Sequence, residues 1–254
     1  MLIDVVTLFP DMVRVPLGIS MVAKAQQIGA LEVRVHNLRE WGVGRHHTTD
    51  DAPFGGGPGM VMKPEPWVRA VEYLQASPPP GQVLLMSPRG RRLDQDLAVE
   101  LSGQPRLVVL CGHYEGIDER VASLLGPQEI SIGDFVLSGG EFAALVVVDA
   151  VARLLPGVLA AGSAAEESHT TGLLEYPHFT RPRCFRGLAV PDVLLSGNHE
   201  AIRRWRLAQS LLVTRQRRPD LLDRRQMSVD EARLLADVTG DTGQADGPTV
   251  CPGR

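Results

Sequence analysis

Two stretches decide the fold of this chain: Arg106-Leu-Val-Val-Leu-Cys-Gly-His-Tyr-Glu-Gly-Ile-Asp-Glu-Arg120 and Glu129-Ile-Ser-Ile-Gly-Asp-Phe-Val-Leu-Ser-Gly-Gly-Glu141. Each begins as a short apolar run, which is typical of a strand buried on both faces, and then breaks into a loop of glycines and carboxylates. A third such loop, Leu84-Leu-Met-Ser-Pro-Arg-Gly90, lies just upstream. Because open α/β sheets bind ligands in loops at the carboxyl ends of neighbouring strands, the three loops predict one shared pocket.

Strand-like and helix-like segments alternate along residues 1–160, which predicts an α/β fold with a parallel sheet covered on both faces. The predicted strands are Leu2–Leu8, Leu31–His36, Gln82–Met86, Leu107–Cys111 and Glu129–Ile132. The predicted helices are Ser20–Ile28, Glu65–Gln75, Leu93–Leu101, Asp118–Leu125 and Glu141–Leu155.

The pattern changes after residue 160. Residues 161–172 are small, polar and glycine-containing, which is typical of a flexible linker. Helices are predicted over Glu200–Thr214 and Ser228–Val238, the second opened by a capping box of Ser228 and Glu231. We therefore predict a small, mostly helical domain over residues 173–240 and a disordered tail over residues 241–254.

The composition is that of a soluble globular protein: of 254 residues, 44% are hydrophobic and 22% charged. Neither a membrane span nor a secretory signal is recognisable. Three scattered cysteines argue against a disulfide framework or a zinc site and favour a reducing, cytoplasmic location. The net charge is −4, yet the segment 178–218 holds nine arginines against two carboxylates, and this local asymmetry indicates a nucleic-acid partner.

A glycine-rich loop, Pro53-Phe-Gly-Gly-Gly-Pro-Gly-Met60, allows two interpretations. Glycines let a backbone approach a ligand closely, but no Gly-Lys-Ser/Thr follows, so a P-loop is unsupported and a tight surface turn is the alternative. The adjacent Asp50 and Asp51 have the chemistry to hold Mg²⁺ or to bind a base edge, and they also suit a solvated turn.

Other candidate residues keep two interpretations as well. Cys111 with His113 suggests a nucleophile and its base, although the two-residue spacing is poor for that and a small buried thiol is the alternative. Glu115 among glycines suits a cationic or hydroxyl-bearing ligand, or a turn. Arg153 suits phosphate or a developing oxyanion, or the carboxyl end of its helix. Glu166 or Glu167 suits a general base on a mobile segment, or a polar run.

Longer blocks resemble the bacterial tRNA (guanine-37-N1)-methyltransferase family of the SPOUT superfamily. The resemblance runs from Met1 to about Asp237. The matching blocks are Asp50-Asp-Ala-Pro-Phe-Gly-Gly-Gly-Pro-Gly-Met-Val-Met62, Leu110-Cys-Gly-His-Tyr-Glu-Gly-Ile-Asp-Glu-Arg120, Ser131-Ile-Gly-Asp-Phe-Val-Leu-Ser-Gly-Gly-Glu141, Asp149-Ala-Val-Ala-Arg-Leu-Leu-Pro-Gly-Val-Leu159, Tyr176-Pro-His-Phe-Thr-Arg-Pro182 and Val193-Leu-Leu-Ser-Gly-Asn-His199.

The resemblance implies an α/β sheet with a deep trefoil knot, an exception to the rule of un-knotted chains. It further implies a cytoplasmic homodimer with shared active sites that methylates N1 of guanosine 37 in tRNA, using S-adenosylmethionine and Mg²⁺. The cofactor would contact the residues Ser87, Pro88, Gly112, Tyr114, Glu115, Ile132, Gly133, Asp134, Phe135, Val136, Leu137, Gly139 and Gly140.

The resemblance also implies roles for residues at the substrate. Glu167 aligns with the family's general base, an Asp, and Arg153 with the arginine that stabilises charge on O6. Asp50 aligns with a position that reads the neighbouring guanine. Arg181, Arg203, Arg204 and Arg206 are the predicted RNA contacts, and no metal ligands are assigned.

Three departures from the family pattern are visible: Glu167 for Asp, Ala143 for a common Pro and Phe135 for a frequent Tyr. Two functions of other classes remain alternatives. One is an RNA-binding module without catalysis, which would lack the cofactor loops. The other is a cysteine hydrolase that depends on Cys111.

Overall fold

The computed structural model describes residues 1–160 and 167–240, together with the backbone of Thr249–Val250. The chain forms two compact units, unit 1 over Met1–Ala161 and unit 2 over Gly162–Arg254. The first half of the predicted linker, which includes Glu166, and most of the predicted tail therefore lie outside the described residues.

Unit 1 is built on a five-stranded parallel sheet, as the alternation predicts. Its strands are β1 (Leu2–Thr7), β2 (Glu32–Asn37), β5 (Gln82–Arg92), β6 (Arg106–Leu110) and β7 (Gln128–Ser131). They lie in the order β2-β1-β6-β5-β7, and all four pairings are parallel. Two short strands that the sequence did not predict, β3 (Asp50–Asp51) and β4 (Val61–Met62), form an antiparallel hairpin.

Helices cover both faces of this sheet. They are α1 (Pro10–Leu17), α2 (Ser20–Gln27), a 3₁₀ helix (Leu38–Trp41), α3 (Pro64–Gln75), α4 (Gln95–Ser102), α5 (Glu119–Leu125) and α6 (Glu141–Ala152). One face packs on α1, α2, α4 and α6, where residues such as Ile3, Val109 and Val147 are buried together. The other face packs on α3 and α5 around Trp67 and Val121.

The predicted elements of unit 1 are confirmed, with most ends shifted by one or two residues. Helix α1 was not predicted; it begins at Pro10, a residue type that is favoured at a first helical position, and it contains Pro16. Helix α6 ends at Ala152 and not at Leu155, so Arg153 caps it. Strand β5 continues to Arg92 through the predicted loop, with a register shift between Met86 and Arg91.

A buried ion pair links the neighbouring strands β1 and β6. Asp4, fully buried on β1, accepts hydrogen bonds from the Nε of Arg106 at 2.8 Å and from the Nε2 of His36 at 2.7 Å. The Nη1 of Arg106 also donates to the carbonyls of Ser77 and Pro79. Burial acts to raise the pKa of Asp4, but the hydrogen bonds and charges of these partners hold it below its ordinary value.

Unit 2 is mostly helical in its described part. It contains strands β8 (Cys184–Phe185), β9 (Leu188–Ala189) and β10 (Thr249–Val250) and helices α7 (Asp192–Leu195), α8 (His199–Arg217), α9 (Pro219–Asp223) and α10 (Val229–Gly240). The core contains Leu173, Ala208, Leu211, Leu234 and Leu235.

The ends of the helices in unit 2 follow the sequence signals. Ser228 and Glu231 form the predicted capping box. The amide of Ser228 donates to the carboxylate of Glu231 at 2.9 Å, and the amide of Glu231 donates to the hydroxyl of Ser228 at 3.2 Å. Among the described residues, no helix combines the length and the apolar character needed to cross a membrane. Cys184 is disulfide-bonded, which the scattered cysteines did not predict.

Candidate functional site

A cavity of about 460 Å³ opens at the carboxyl ends of β5, β6 and β7, where the three loops were predicted to meet. Its volume is within the range of small-molecule sites. Its walls are Leu85, Met86, Ser87, Pro88, Arg89, Gly112, His113, Tyr114, Glu115, Gly116, Ile117, Glu119, Ile130, Ser131, Ile132, Gly133, Phe135, Val136, Leu137, Ser138, Gly139, Gly140 and Ala143.

The structure brings the predicted cofactor residues together around this cavity. Each of them lines it except Asp134, which is exposed in the same loop as its neighbours Gly133 and Phe135. Two departures from the family pattern, Ala143 and Phe135, are also in the wall. The predicted single pocket therefore exists among the described residues.

Main-chain contacts hold the loops of the wall together. The amide of Gly140 donates to the carbonyl of Gly112 at 2.8 Å, and His113 and Gly139 form an antiparallel bridge. A Cβ on Gly140 would lie 2.8 Å from the Cα of Cys111 and 3.0 Å from the Cβ of Met86. Glycine is needed here because backbones approach within the space that any side chain would occupy.

A buried carboxylate lies behind this wall, at the first residue of α6. Glu141 accepts a hydrogen bond from the hydroxyl of Thr7, with Oγ1 and Oε1 2.6 Å apart. Its Oε2 lies 3.8 Å from the Nδ1 of His113, a residue of the wall. Sequence reasoning gave Glu141 no role, although it ends one of the two deciding stretches; its burial is a tertiary property.

Cys111 does not have the environment of a nucleophile. The thiol is fully buried, and burial, followed by the negative charge of Glu141, raises its pKa well above the ordinary value. A thiol that resists ionisation is a poor nucleophile. The structure therefore favours the small buried thiol over a cysteine hydrolase.

The glycine-rich loop reaches the rim of the cavity. The amide of Glu115 donates to the carbonyl of Met60 at 3.0 Å, and the amide of Met62 donates to the carbonyl of Gly116 at 2.9 Å. Gly59 packs so closely on the side chain of Glu115 that a Cβ there would overlap it. The loop is therefore part of the surroundings of the cavity and not an isolated turn.

Asp50 and Asp51 lie at the base of this loop, on β3. Asp50 is half-buried and accepts a hydrogen bond from the hydroxyl of Thr49 at 3.1 Å. Asp51 is exposed, and its pKa is lowered by the amide of Ala52 and then by Lys63. Within residues 1–160 and 167–240, no three His, Cys, Asp or Glu side chains are grouped as a metal site would require.

Comparison with known proteins agrees with this geometry. Residues 1–224 match the sequence profile of the family described as tRNA (Guanine-1)-methyltransferase TrmD. The chain belongs to this family.

Individual relatives cover nearly the same length. A tRNA (guanine-N(1)-)-methyltransferase of Dehalococcoides mccartyi is 50% identical over 243 residues, which cover 95% of this chain and 98% of the relative. Proteins of the same name from Moorella thermoacetica and Chloroflexus aggregans are 52% and 55% identical. They cover 96% and 87% of this chain, and 99% and 87% of their own lengths.

The residues that the family resemblance assigns to catalysis lie in different units. Arg153 is half-buried at the carboxyl end of α6, in unit 1. Glu167 is half-buried in unit 2, and its carbonyl accepts a hydrogen bond from the amide of Thr170 at 3.2 Å.

The predicted RNA contacts of unit 2 differ in their surroundings. Arg181, Arg203 and Arg204 are exposed, and Arg204 lies 3.8 Å from Asp237. The guanidinium of Arg206 instead lies over the ring of Tyr176, 4.8 Å from its centroid. Arg206 therefore has a packing role in unit 2, which the sequence did not distinguish from its exposed neighbours.

Proposed function

We propose that this chain transfers a methyl group from S-adenosylmethionine to N1 of guanosine 37 in tRNA, next to the anticodon. The observation that carries the proposal is the cavity, whose wall consists of the loops expected to hold the cofactor. The family and the relatives support N1 of guanosine in tRNA as the methylated atom. Position 37 rests on the resemblance of the long sequence blocks.

The cavity suits S-adenosylmethionine in size and in chemistry. The main chain at Gly112, Gly139 and Gly140 would lie close to a bound adenine, and Ile132 and Leu137 supply apolar area. Glu115 offers a carboxylate to hydroxyl or amino groups. When bound, the cofactor supplies an electrophilic methyl group.

A deep trefoil knot is part of the proposal. In such a knot, the segment after β7 passes through the loop that joins β5 to β6. Gly140 packs between Met86 of β5 and Cys111 after β6, the two strands that this loop joins, which supports this path. A chain threaded in this way would hold the wall of the cavity rigid.

Two side chains of this protein would perform the chemistry on guanine. Neutral guanine has a proton on N1 and is a weak nucleophile there, so Glu167 takes that proton as general base; Glu166 is the alternative. The negative charge that develops on O6 is stabilised by the guanidinium of Arg153. The Mg²⁺ that the family resemblance implies has no group of three His, Cys, Asp or Glu side chains to hold it among the described residues.

Unit 2 and Asp50 would bind the tRNA in a cytoplasmic homodimer with shared active sites. Exposed arginines suit backbone phosphates, and Asp50 would read the neighbouring guanine, as the family resemblance implies. Phe142 and Val146, one turn apart on α6, are 53% and 45% exposed, which supports an apolar dimer face. Val146→Glu should convert a dimer to a monomer in analytical ultracentrifugation.

The activity test is methyl transfer from labelled S-adenosylmethionine to unmodified tRNA transcripts with guanosine or adenosine at position 37, in the presence of Mg²⁺. Transfer to the guanosine transcript alone, with 1-methylguanosine in the digest, is the expected result. Equal transfer to both transcripts would exclude position 37. No transfer despite cofactor binding would exclude this substrate.

Glu167→Gln tests the general base. Asp223→Asn is the control, because it also removes one carboxylate from unit 2. A general base contributes about 100-fold or more, so kcat of Glu167→Gln should fall by at least that factor. Cofactor affinity and the rate of Asp223→Asn should stay unchanged. Full turnover by Glu167→Gln would pass the role to Glu166.

A further inference from the structure

Glu141 is a carboxylate without a full counter-charge. Only 1% of its side chain is exposed, and its one hydrogen bond from another side chain comes from the neutral hydroxyl of Thr7. Among the described residues, no Lys or Arg forms an ion pair with it, and His113 is the nearest group able to carry positive charge. The 3.8 Å between Oε2 and Nδ1 is too long for a hydrogen bond, and the Nδ1 of His113 is buried without a partner in the described structure.

This carboxylate lies directly behind the wall of the cavity. A Cβ on Gly139 would overlap both the Oε2 of Glu141 and the Nδ1 of His113. Gly139 and His113 both line the cavity and are bridged to each other. Only this single layer of main chain and imidazole therefore separates Glu141 from a bound molecule.

Burying a carboxylate costs free energy unless positive charge lies nearby. Burial, and after it the negative charge of Glu141, raises the pKa of the nearby Cys111 thiol. In a poorly hydrated region the field of a charge is weakly screened and acts over several ångströms. A positively charged ligand in the cavity would supply the missing charge.

We infer that Glu141 is a specificity-determining residue that selects a cationic sulfonium ligand over its neutral thioether counterpart. This rests on the proposed function, in which the donor S-adenosylmethionine is a sulfonium and the product S-adenosylhomocysteine is a thioether. The two molecules share their adenosine and amino-acid groups and differ in one methyl group and one positive charge. Glu141 therefore stabilises the bound donor and not the bound product, which favours exchange after transfer.

The test compares dissociation constants of the two ligands for the full chain and for Glu141→Gln, measured by titration calorimetry. Glutamine has the same shape, and its amide oxygen still accepts the hydroxyl of Thr7. The Kd of S-adenosylmethionine should rise about fivefold or more, which corresponds to a weakened charge interaction of roughly 1 kcal/mol. The Kd of S-adenosylhomocysteine should change less than about twofold on the same scale.

Glu72→Gln is the matched control, because it makes the same exchange at an exposed carboxylate on α3 of unit 1. It should leave both constants unchanged. Equal weakening of both ligands by Glu141→Gln would show a purely structural role and overturn the inference. Failure of the unmodified chain to bind either ligand would instead contradict the proposed function.

A second measurement needs no variant of Glu141. A buried charge is little screened by salt, so the ratio of the two constants in the unmodified chain should stay constant between about 0.05 M and about 0.5 M KCl. A ratio that falls severalfold would assign the discrimination to an exposed carboxylate such as Glu115 and would overturn the inference.

Discussion

The cavity wall of unit 1 is made largely of main chain, whereas the cationic surface of unit 2 is made of exposed side chains. In the wall, Gly139 and Gly140 pack at distances that admit no side chain. On α8, Arg203 and Arg204 extend into solvent. A single substitution in the wall should therefore abolish most of the cofactor affinity. Substitutions on the surface should each weaken tRNA binding by a small amount, and their effects should add.

Gly140→Ala should have the largest effect. Its Cβ would meet the backbone of Cys111, which cannot move aside without shifting the adjoining loop. We expect the affinity for S-adenosylmethionine to fall by about 100-fold or more, a cost of roughly 3 kcal/mol that is typical of overpacking. Calorimetric titration provides the measurement.

Gly103→Ala is the control for that substitution. Gly103 lies after α4, away from the cavity wall, and a Cβ there makes only ordinary contact at 3.5 Å with the carbonyl of Glu100. The control should bind the cofactor normally. If Gly140→Ala bound equally well, the wall would have to be more deformable than its contacts imply.

Arg106→Met should give the next largest effect, this time on stability. It leaves the buried Asp4 with His36 alone, and breaking a buried pair costs about 3 to 5 kcal/mol in the free energy of unfolding. The measurement is a urea titration in which hydrogen exchange of the β1 and β6 amides is monitored, because these amides report the unfolding of unit 1. A loss below about 1 kcal/mol would mean that the pair is as dispensable as exposed ones.

The exposed pair of Arg218 and Asp220 in unit 2 is the matching case for the buried pair. Its side chains are 40% and 45% exposed, and the Nη2 of Arg218 lies 2.7 Å from the Oδ2 of Asp220. Arg218→Met should cost less than about 1 kcal/mol, because water screens the charges. The difference between the two arginine variants measures the effect of burial.

The stability of the protein should also depend on pH through Asp4, with a smaller effect than that of Arg106→Met. Its pKa is lowered in the folded protein, so its contribution to stability is fully present above the ordinary Asp value of 3.8. That contribution is lost as the pH falls through the lowered pKa of the folded state. Acid unfolding of Asp4→Asn should therefore show a shallower dependence on pH in this range, and an unchanged slope would contradict the pairing.

Substitutions on the surface of unit 2 should have the smallest single effects. Arg203→Ala and Arg204→Ala should each weaken tRNA binding severalfold and reduce the salt slope by about one. Filter binding at several KCl concentrations is the measurement, with Arg69→Ala on α3 as a control in unit 1. An unchanged salt slope would place the phosphate contacts elsewhere.

The loops and their close contacts show how far the sequence leads. Alternating apolar runs predicted the parallel sheet, and the glycine-carboxylate loops predicted which strand ends form the cavity. The continuation of β5 to Arg92 was not predicted, because Pro88 and Gly90 indicate a loop and only the tertiary structure returns Arg91 and Arg92 to pairing with β7. Likewise, Glu141 and Asp50 are both carboxylates in sequence, and only packing makes the first buried and the second half-buried.

The sequence by itself determined the fold class, the family, the wall residues and the concentration of arginines in unit 2, because these depend on residue type and spacing. The tertiary structure alone decided which groups lose water. It buried Cys111 and raised the pKa of its thiol, laid Arg206 over Tyr176 and placed Glu141 behind Gly139. Solvation depends on neighbours that are distant along the chain, and no local pattern encodes it.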